Sequence, residues 1–175
     1  SSDQIGQGGP DAIIIPGTKN TLADLRMLKE SGFFDALRKL VDGGTHCVGI
    51  CGGFQMLGRE VRDPHHVEST LERVAGLSLL PITTTMHPEK QTAQVIGRIL
   101  VPDLFPEAST ELQGYEIHQG RTDLHDDAVP FLQITQRSGN PTQLFDGAIR
   151  RDGHVWGTYL HGIFEHPDVV RQTLG

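Results

Sequence analysis

The sequence has little of what marks secreted, membrane-spanning or nucleic-acid-binding proteins. Its 175 residues include only two cysteines, Cys47 and Cys51, which are too few and too close in sequence for a disulfide framework. No apolar run approaches the roughly 18 residues of a membrane span, and residues 1–4 lack the basic and apolar regions of a signal peptide. We therefore expect a cytoplasmic protein without a membrane partner.

Positive charge is also scarce. The chain has 15 Lys and Arg against 22 Asp and Glu, a formal net charge of −7, which is opposite in sign to that of a nucleic-acid-binding surface. The GxxxxGK[ST] motif of a nucleotide-phosphate loop is absent, so an ATP site of that type would lie outside these residues. With 37% apolar and 21% charged residues, the composition is that of one globular domain covering residues 1–175.

Both ends of the chain look like internal positions of a longer polypeptide. The Gly-rich polar stretch 1–10 runs directly into an apolar strand. At the other end, Val169, Val170 and Leu174 begin a helical pattern just before the chain stops. We expect a fragment or a subunit.

The hydrophobic patterns predict an α/β domain. Residues 12–15 are a continuous β-branched run typical of a strand buried in a parallel sheet, and residues 46–50 predict a second such strand. The helical spacing between them makes residues 12–50 a strand–helix–strand unit. Helices are predicted over 21–28, 33–41 and 53–59, and further strands over 82–86, 92–101, 115–118, 131–135, 148–150 and 155–159.

The segment Gly49-Ile50-Cys51-Gly52-Gly53 ends a buried strand and opens a helix. It has the spacing of a nucleophile elbow with cysteine in the serine position, where glycines relieve the clashes of a strained turn. A thiol at a helix N-terminus is expected to favour the thiolate, and the free backbone N–H groups there can stabilise an oxyanion. The alternative is a structural turn with a half-buried cysteine. Cys47, inside the apolar strand, is interpreted as a core residue.

A cysteine nucleophile needs a base, and His161 is the first candidate among nine histidines. It follows the last apolar strand and precedes a glycine, at the strand end where parallel-sheet enzymes place their sites. The alternative is a surface or structural histidine. His118 is a second candidate, although its polar neighbourhood favours a binding loop. Residues 63–68 contain a pair of histidines and two carboxylates, which we interpret as a polar loop rather than a metal site, and we predict no bound metal.

Four segments together resemble a known family: residues 10–21, 49–58, 116–122 and 159–164. In this order they are similar to the CobB/CobQ-like glutamine amidotransferase domains of the class I, triad-type family, as found in cobyric acid synthases. The resemblance implies a three-layer, flavodoxin-like fold with a mixed, mainly parallel sheet that lacks its first strands. Tyr-Glu-Ile-His-x-Gly-Arg-Thr is the discriminating segment, because related amidoligases share the Cys-Gly-Gly elbow and differ there.

The resemblance also implies the roles of individual residues. Cys51 would attack the side-chain amide of glutamine, releasing ammonia and leaving a thioester that water hydrolyses, with His161 as general base and acid. Gly17 and Gly52 would form the oxyanion hole. Four residues would hold the substrate or line an interface: Gln55, Glu116, His118 and Arg121.

The triad pattern is broken at one position. The residue two after the histidine, usually a glutamate that orients it, is Ile163. Glu165 lies four residues after His161, and we assign it no catalytic role. We therefore expect a Cys-His dyad.

By the same resemblance, an ATP- and Mg²⁺-dependent synthetase domain would lie upstream, outside these residues. It would use the ammonia to amidate corrin carboxylates, converting adenosylcobyrinic acid a,c-diamide to adenosylcobyric acid in cobalamin biosynthesis. No cofactor is expected in the domain described here. The alternatives are a glutaminase domain of a related amidoligase (cobyrinic acid a,c-diamide synthase or a peptidoglycan-amidating enzyme), a cysteine hydrolase of similar fold, and a noncatalytic scaffold.

Overall fold

A computed structural model describes residues 9–106 and 111–174. The Gly-rich start of the chain therefore lies, up to residue 8, outside the described residues. The helices are α1 (Thr21–Glu30), α2 (Phe33–Asp42), α3 (Gly52–Leu57) and α4 (Pro167–Leu174), with a 3-10 turn at Ile163–Glu165. The strands are β1 (Ala12–Ile15), β2 (His46–Ile50), β3 (Glu60–Arg62), β4 (Arg73–Ala75), β5 (Ile82–Thr85), β6 (Gln91–Ile99), β7 (Leu112–His118), β8 (Arg121–Leu124), β9 (Val129–Arg137), β10 (Asn140–Ile149), β11 (Val155–Thr158) and β12 (Leu160–His161).

The main sheet has eight strands in the order β1-β2-β11-β10-β9-β6-β7-β12. β2 pairs in parallel with β1 on one side and with β11 on the other, and the remaining pairs of this sheet are antiparallel. The mixed α/β sheet is as predicted. The prediction of a mainly parallel sheet is wrong. Long hairpins, rather than crossover helices, connect the strands of the second half.

A second sheet of four strands, in the order β4-β3-β5-β8, packs against α1–α3. It contains most of the strands that the hydrophobic pattern did not predict. β3, β4 and β8 are three or four residues long, too short to show an alternating pattern, and they form because partners distant in sequence align with them.

Hydrophobic residues pack on both faces of the main sheet, which gives the three layers that the resemblance implies. On one face, Leu22, Leu37 and Phe54 of α1–α3 join the small sheet in one cluster. On the other face, Val169 of α4 and Trp156 of β11 belong to a second cluster. Cys47 lies fully buried in the first cluster, as predicted. Within the described part of the chain, no helix is both long and apolar enough to cross a membrane.

The helix boundaries have local causes. The side chain of Asn20 accepts a hydrogen bond from the Ala23 N–H at 3.0 Å and caps α1. Gly32, in the left-handed region at φ 75°, separates α1 from α2. The helix predicted over 53–59 starts one residue earlier, at Gly52, and ends at Leu57.

Candidate active site

Cys51 occupies a strained turn between β2 and α3. Its φ of 54° and ψ of −113° lie outside the regions that ordinary residues favour. Its backbone N–H donates to the Thr158 carbonyl at 2.9 Å, which ties the turn to the end of β11. A Cβ on Gly53 would lie 1.9 Å from the carbonyl oxygen of Ile15, and one on Gly49 2.6 Å from that of Gly53. The predicted need for glycine around this cysteine is confirmed.

Both predicted oxyanion-hole residues lie beside the sulfur. The Gly52 N–H hydrogen-bonds the thiol group and so lowers its pKa. A Cβ built on Gly17 would lie 3.7 Å from Sγ of Cys51, an ordinary van der Waals distance. The loop after β1 therefore packs against the elbow. Their role as oxyanion donors stays a prediction.

The resting thiol is held in its protonated form. Burial is the largest influence and raises the pKa of Cys51, with the charges of Glu68 and Asp146 adding to the rise, while the Gly52 N–H opposes it. The Gly52 N–H at the start of α3 acts in the predicted direction, toward the thiolate, but the effect of burial on the pKa is larger. The thiol donates instead to the Ile117 carbonyl, with Sγ 3.5 Å from the oxygen.

His161 reaches the same stretch of β7 from the other side. It lies opposite Tyr115 in the β12–β7 pair, and its imidazole stacks on the Tyr115 ring with centroids 4.9 Å apart and planes 8° apart. The thiol thus contacts β7 at the Ile117 carbonyl, and the imidazole contacts it two residues earlier, at the Tyr115 ring. His161 is not among the residues that line the cavity at the thiol, so its pairing with Cys51 stays a prediction.

One nitrogen of the imidazole is available for proton transfer. Among the residues that the structure describes, Nε2 of His161 is buried and has no hydrogen-bond partner. Burial lowers the pKa of His161, and no carboxylate of the described residues opposes this effect. A neutral imidazole is the form that a general base needs in order to take a thiol proton.

The position of a triad glutamate is filled by a core residue. Ile163 is 1% exposed and packs in the second hydrophobic cluster. Glu165 sits on the following 3-10 turn, where its carboxylate lies near Gly162. These placements agree with a dyad, although the roles themselves stay predictions.

A cavity of about 320 Å³ opens at the thiol. Gln55, predicted to hold the substrate, lies in its wall with its side-chain amide fully used. Its Nε2 donates to the Gln119 carbonyl at 2.9 Å and to the Tyr159 hydroxyl at 3.1 Å, and its Oε1 accepts from the Thr21 hydroxyl at 3.1 Å. These hydrogen bonds hold the Gln55 side chain in the cavity wall. The other lining residues are Thr18, Lys19, Gly52, Glu68, Lys90, Ile117 and His118.

His118 separates this cavity from a second one. Its ring stacks on Tyr159 with centroids 3.8 Å apart, and its Nδ1 pairs with the Gly120 carbonyl at 3.2 Å. Burial lowers the pKa of His118 to about 4, so the ring is neutral at neutral pH. It lines both cavities.

The second cavity, of about 420 Å³, contains the other two predicted substrate contacts, Glu116 and Arg121. Glu116 lies 3.1 Å from Nε of Arg137 in an ion pair, and burial raises the pKa of Glu116. Arg121 is exposed on β8. The segment 114–122, interpreted as a binding loop, is instead β7, a tight turn and β8, because each part pairs with a strand of a different sheet.

Sequence analysis missed Glu68, which lines the thiol cavity and accepts from the Thr21 N–H at 2.9 Å. Its loop is built around Asp63, whose two carboxylate oxygens accept from the backbone N–H groups of Val67, Glu68 and Ser69. The predicted polar loop is thus an ordered segment. No group of three or more metal-ligating side chains occurs in the described ranges 9–106 and 111–174.

Comparisons with known proteins identify relatives of the chain. Residues 1–169 match the family described as the CobB/CobQ-like glutamine amidotransferase domain. The chain is 48% identical over 161 residues to the cobyric acid synthase of Desulforamulus reducens, covering 91% of this chain and 31% of that protein. It is 46% identical over 169 residues to that of Moorella thermoacetica, covering 95% and 32%. The chain thus spans about a third of the length of the curated relatives it matches.

Solved structures share the fold. The structure of PurLQS from Thermotoga maritima aligns with a TM-score of 0.68 at 19% identity, covering 95% of this chain and 80% of that one. A crystal structure of a glutamine amidotransferase aligns with a TM-score of 0.60 at 16% identity, covering 95% and 79%. At these identities the likeness concerns the fold alone, and it agrees with the fold class expected from the sequence.

Proposed function

The chain belongs to the family of CobB/CobQ-like glutamine amidotransferase domains, and we propose that it is the glutaminase domain of a cobyric acid synthase. In this function it hydrolyses glutamine to glutamate and supplies the ammonia to an ATP-dependent synthetase domain of the same polypeptide. The observation that carries the proposal is the Cys51 elbow, where a strained cysteine meets backbone N–H groups and a cavity of about 320 Å³.

The first half-reaction follows from the protonation states. When glutamine enters, the Cys51 thiol leaves the Ile117 carbonyl and passes its proton to Nε2 of His161. Sγ then attacks the carboxamide carbon, and the developing oxyanion is stabilised by the N–H groups of Gly17 and Gly52. The C–N bond breaks as His161 returns the proton to nitrogen, and ammonia leaves behind a glutamyl thioester.

The second half-reaction uses water. His161 takes a proton from a water molecule, whose oxygen attacks the thioester carbon. The C–S bond breaks, glutamate is formed, and the proton restores the Cys51 thiol. The predicted substrate contacts Gln55 and His118 border this chemistry, while Glu116 and Arg121 face the second cavity.

The remaining part of the proposal concerns the rest of the polypeptide. The relatives are about three times as long as this chain, which leaves room for the synthetase domain that binds ATP, Mg²⁺ and the corrin substrate. No cofactor is needed for the thioester chemistry of the present domain. We place the reaction in the cytoplasm, where ATP and glutamine are available.

The proposal is tested on the full-length polypeptide with Cys51→Ala. We expect glutamine-dependent amidation of the corrin to be lost and ammonia-dependent amidation to persist. Labelling by 6-diazo-5-oxonorleucine, read by intact mass and peptide mapping, should fall on Cys51. Cys47→Ala is the matched control, because burial raises the pKa of Cys47 to about 12 and keeps it unreactive. Loss of both amidation activities in Cys51→Ala, or no adduct in the wild type, would overturn the proposal.

A further inference from the structure

Asp146 is a buried carboxylate that the thioester chemistry does not use. It lies in β10 with 5% of its surface exposed. Its carboxylate accepts hydrogen bonds from the Thr158 hydroxyl and from the Tyr159 N–H, which lies 3.1 and 3.2 Å from the two oxygens. The backbone N–H groups of Gly147 and Leu160 also donate to it. Burial raises the pKa of Asp146, and the donors oppose this rise. Several donors on one buried carboxyl group make a rigid local structure, because each hydrogen bond restricts the same side chain.

These donors come from the place where the chain changes strand partners. β11 ends at Thr158 in parallel pairing with β2, and β12 begins at Leu160 in antiparallel pairing with β7. The switch leaves backbone N–H groups without a ladder acceptor, which is costly in the interior. Asp146 supplies the acceptor. The Thr158 hydroxyl extends its reach, because it donates to the carboxylate and accepts from the Leu160 N–H at 2.9 Å.

Thr158 connects this arrangement to both catalytic residues. Its carbonyl accepts the backbone N–H of Cys51 at 2.9 Å. Its hydroxyl fixes the Leu160 N–H, and His161 is the next residue. The His161 ring itself is held by stacking on Tyr115, and its Nε2 is unpaired. The backbone before His161 is therefore fixed more firmly than the ring.

We propose that Asp146 and Thr158 form a positioning clamp, which sets the His161 imidazole relative to the Cys51 thiol by fixing the turn that carries it. The clamp takes over the orienting task that a carboxylate on the histidine ring performs in a triad. This inference rests on the proposed glutaminase function. Asp146 and Thr158 act through the backbone and are positioning residues, because neither donates to the reacting atoms.

The test is Thr158→Val in the full-length polypeptide. Valine keeps the shape and removes the hydroxyl, so Asp146 loses one donor and the Leu160 N–H loses its acceptor on Thr158. We expect kcat for glutamine hydrolysis to fall about 100-fold, the size of effect that a small misplacement of reacting groups produces. KM for glutamine and ammonia-dependent amidation should stay near wild type. Thr158→Ser restores the hydroxyl and should restore most of kcat.

Thr173→Val is the matched control. Thr173 is also fully buried and uses its hydroxyl once, toward the Val169 carbonyl in α4. The Thr173→Val variant should lose stability without a change in kcat. The second readout is the pH dependence of Cys51 alkylation by iodoacetamide, which depends on the imidazole and not on glutamine. Thr158→Val should alter this profile in the same direction as His161→Gln.

The outcomes separate the inference from the function on which it rests. If the wild type hydrolyses glutamine and Thr158→Val keeps both kcat and the alkylation profile, the clamp is wrong and the function stands. Equal losses of kcat in Thr158→Val and Thr173→Val would indicate a general loss of folding and would also overturn the clamp. If the wild type shows no glutaminase activity, the function fails and the alkylation profile alone decides. Should Thr158→Val not fold, Asp146→Asn takes its place, because its amide nitrogen would face the Tyr159 N–H.

Discussion

The two halves of the candidate dyad are held by different kinds of structure. Cys51 lies on a strained turn that its own segment makes recognisable, because Gly49 and Gly53 on either side have no room for a side chain. The His161 ring stacks on Tyr115 of β7, and the backbone two residues before it donates to Asp146 of β10, so both contacts come from residues distant in sequence. The nucleophile is thus specified by a short segment, whereas the base depends on the assembly of the whole sheet.

Variants of the two regions should therefore have different effects. A substitution in the elbow changes close packing between α3 and β1 and so affects folding. A substitution around His161 leaves the elbow intact and affects the proton transfer. The two regions can therefore be separated by measuring stability and rate on the same variants.

The largest effect is expected for Gly53→Ala. Its Cβ would lie 1.9 Å from the carbonyl oxygen of Ile15, so α3 must move away from β1. We expect the free energy of unfolding to fall by more than about 4 kcal/mol, the range reached by severe overpacking. Urea unfolding of the full-length polypeptide measures it.

Gly32→Ala is the control for this change. Gly32 has φ 75° with open space around it, so alanine meets only the backbone penalty of about 1–2 kcal/mol. Equal stability losses in Gly53→Ala and Gly32→Ala would show that the elbow is not closely packed, and the contrast between the two regions would disappear.

The next effect concerns the base. Burial lowers the pKa of His161, so the neutral ring that accepts the thiol proton is present at neutral pH and is lost as the pH falls through that pKa. We expect kcat/KM for glutamine to decline on an acid limb below about pH 6.5, the ordinary histidine value. His118 does not account for this limb, because burial lowers its pKa to about 4.

His161→Gln should lower kcat/KM about 10²–10⁴-fold and remove the limb. His166→Gln is the matched control, because that ring pairs with the Gln113 backbone at the surface. An acid limb that persists in His161→Gln would mean that another group is the base. The urea midpoint should be close to wild type in both variants, in contrast to Gly53→Ala.

The local half of the site could be predicted from the sequence, and the reasons are physical. A strand that ends in Gly-x-Cys-Gly-Gly predicts a strained turn with no room for side chains beside the cysteine, and the structure has such a turn at Cys51. The strands β1 and β2 were also predicted, because continuous β-branched runs need no partner to be identified. Cys47 was placed correctly for the same reason. The predicted burial of β1 on both faces is wrong, because β1 is the edge strand of the main sheet and Ile14 is 48% exposed.

The distant half could not be predicted to the same extent. Asp146 is followed by no local motif, and its importance arises from Thr158 and Tyr159, twelve and thirteen residues further along the chain. β12 has two residues and exists because β7 pairs with it. One signal was available: Ser138-Gly139, both at positive φ, is the two-residue turn of a hairpin, and it indicates the antiparallel pairing of β9 and β10.

The smallest effect is expected for Glu165→Gln, which tests whether a residue of its own segment orients His161. If His161 is held by the sheet alone, removing the Glu165 charge should leave kcat within about tenfold of wild type, whereas loss of a triad orienter costs about 10⁴-fold. The acid limb gives a second test, because a carboxylate on the ring would stabilise the imidazolium and raise the pKa of His161. In the structure burial alone sets that pKa, so the limb should stay in place in Glu165→Gln. A limb that moves to lower pH, with Glu89→Gln unchanged as the surface control, would make Glu165 the third member of a triad. The base would then be held by a residue of its own segment, as the nucleophile is.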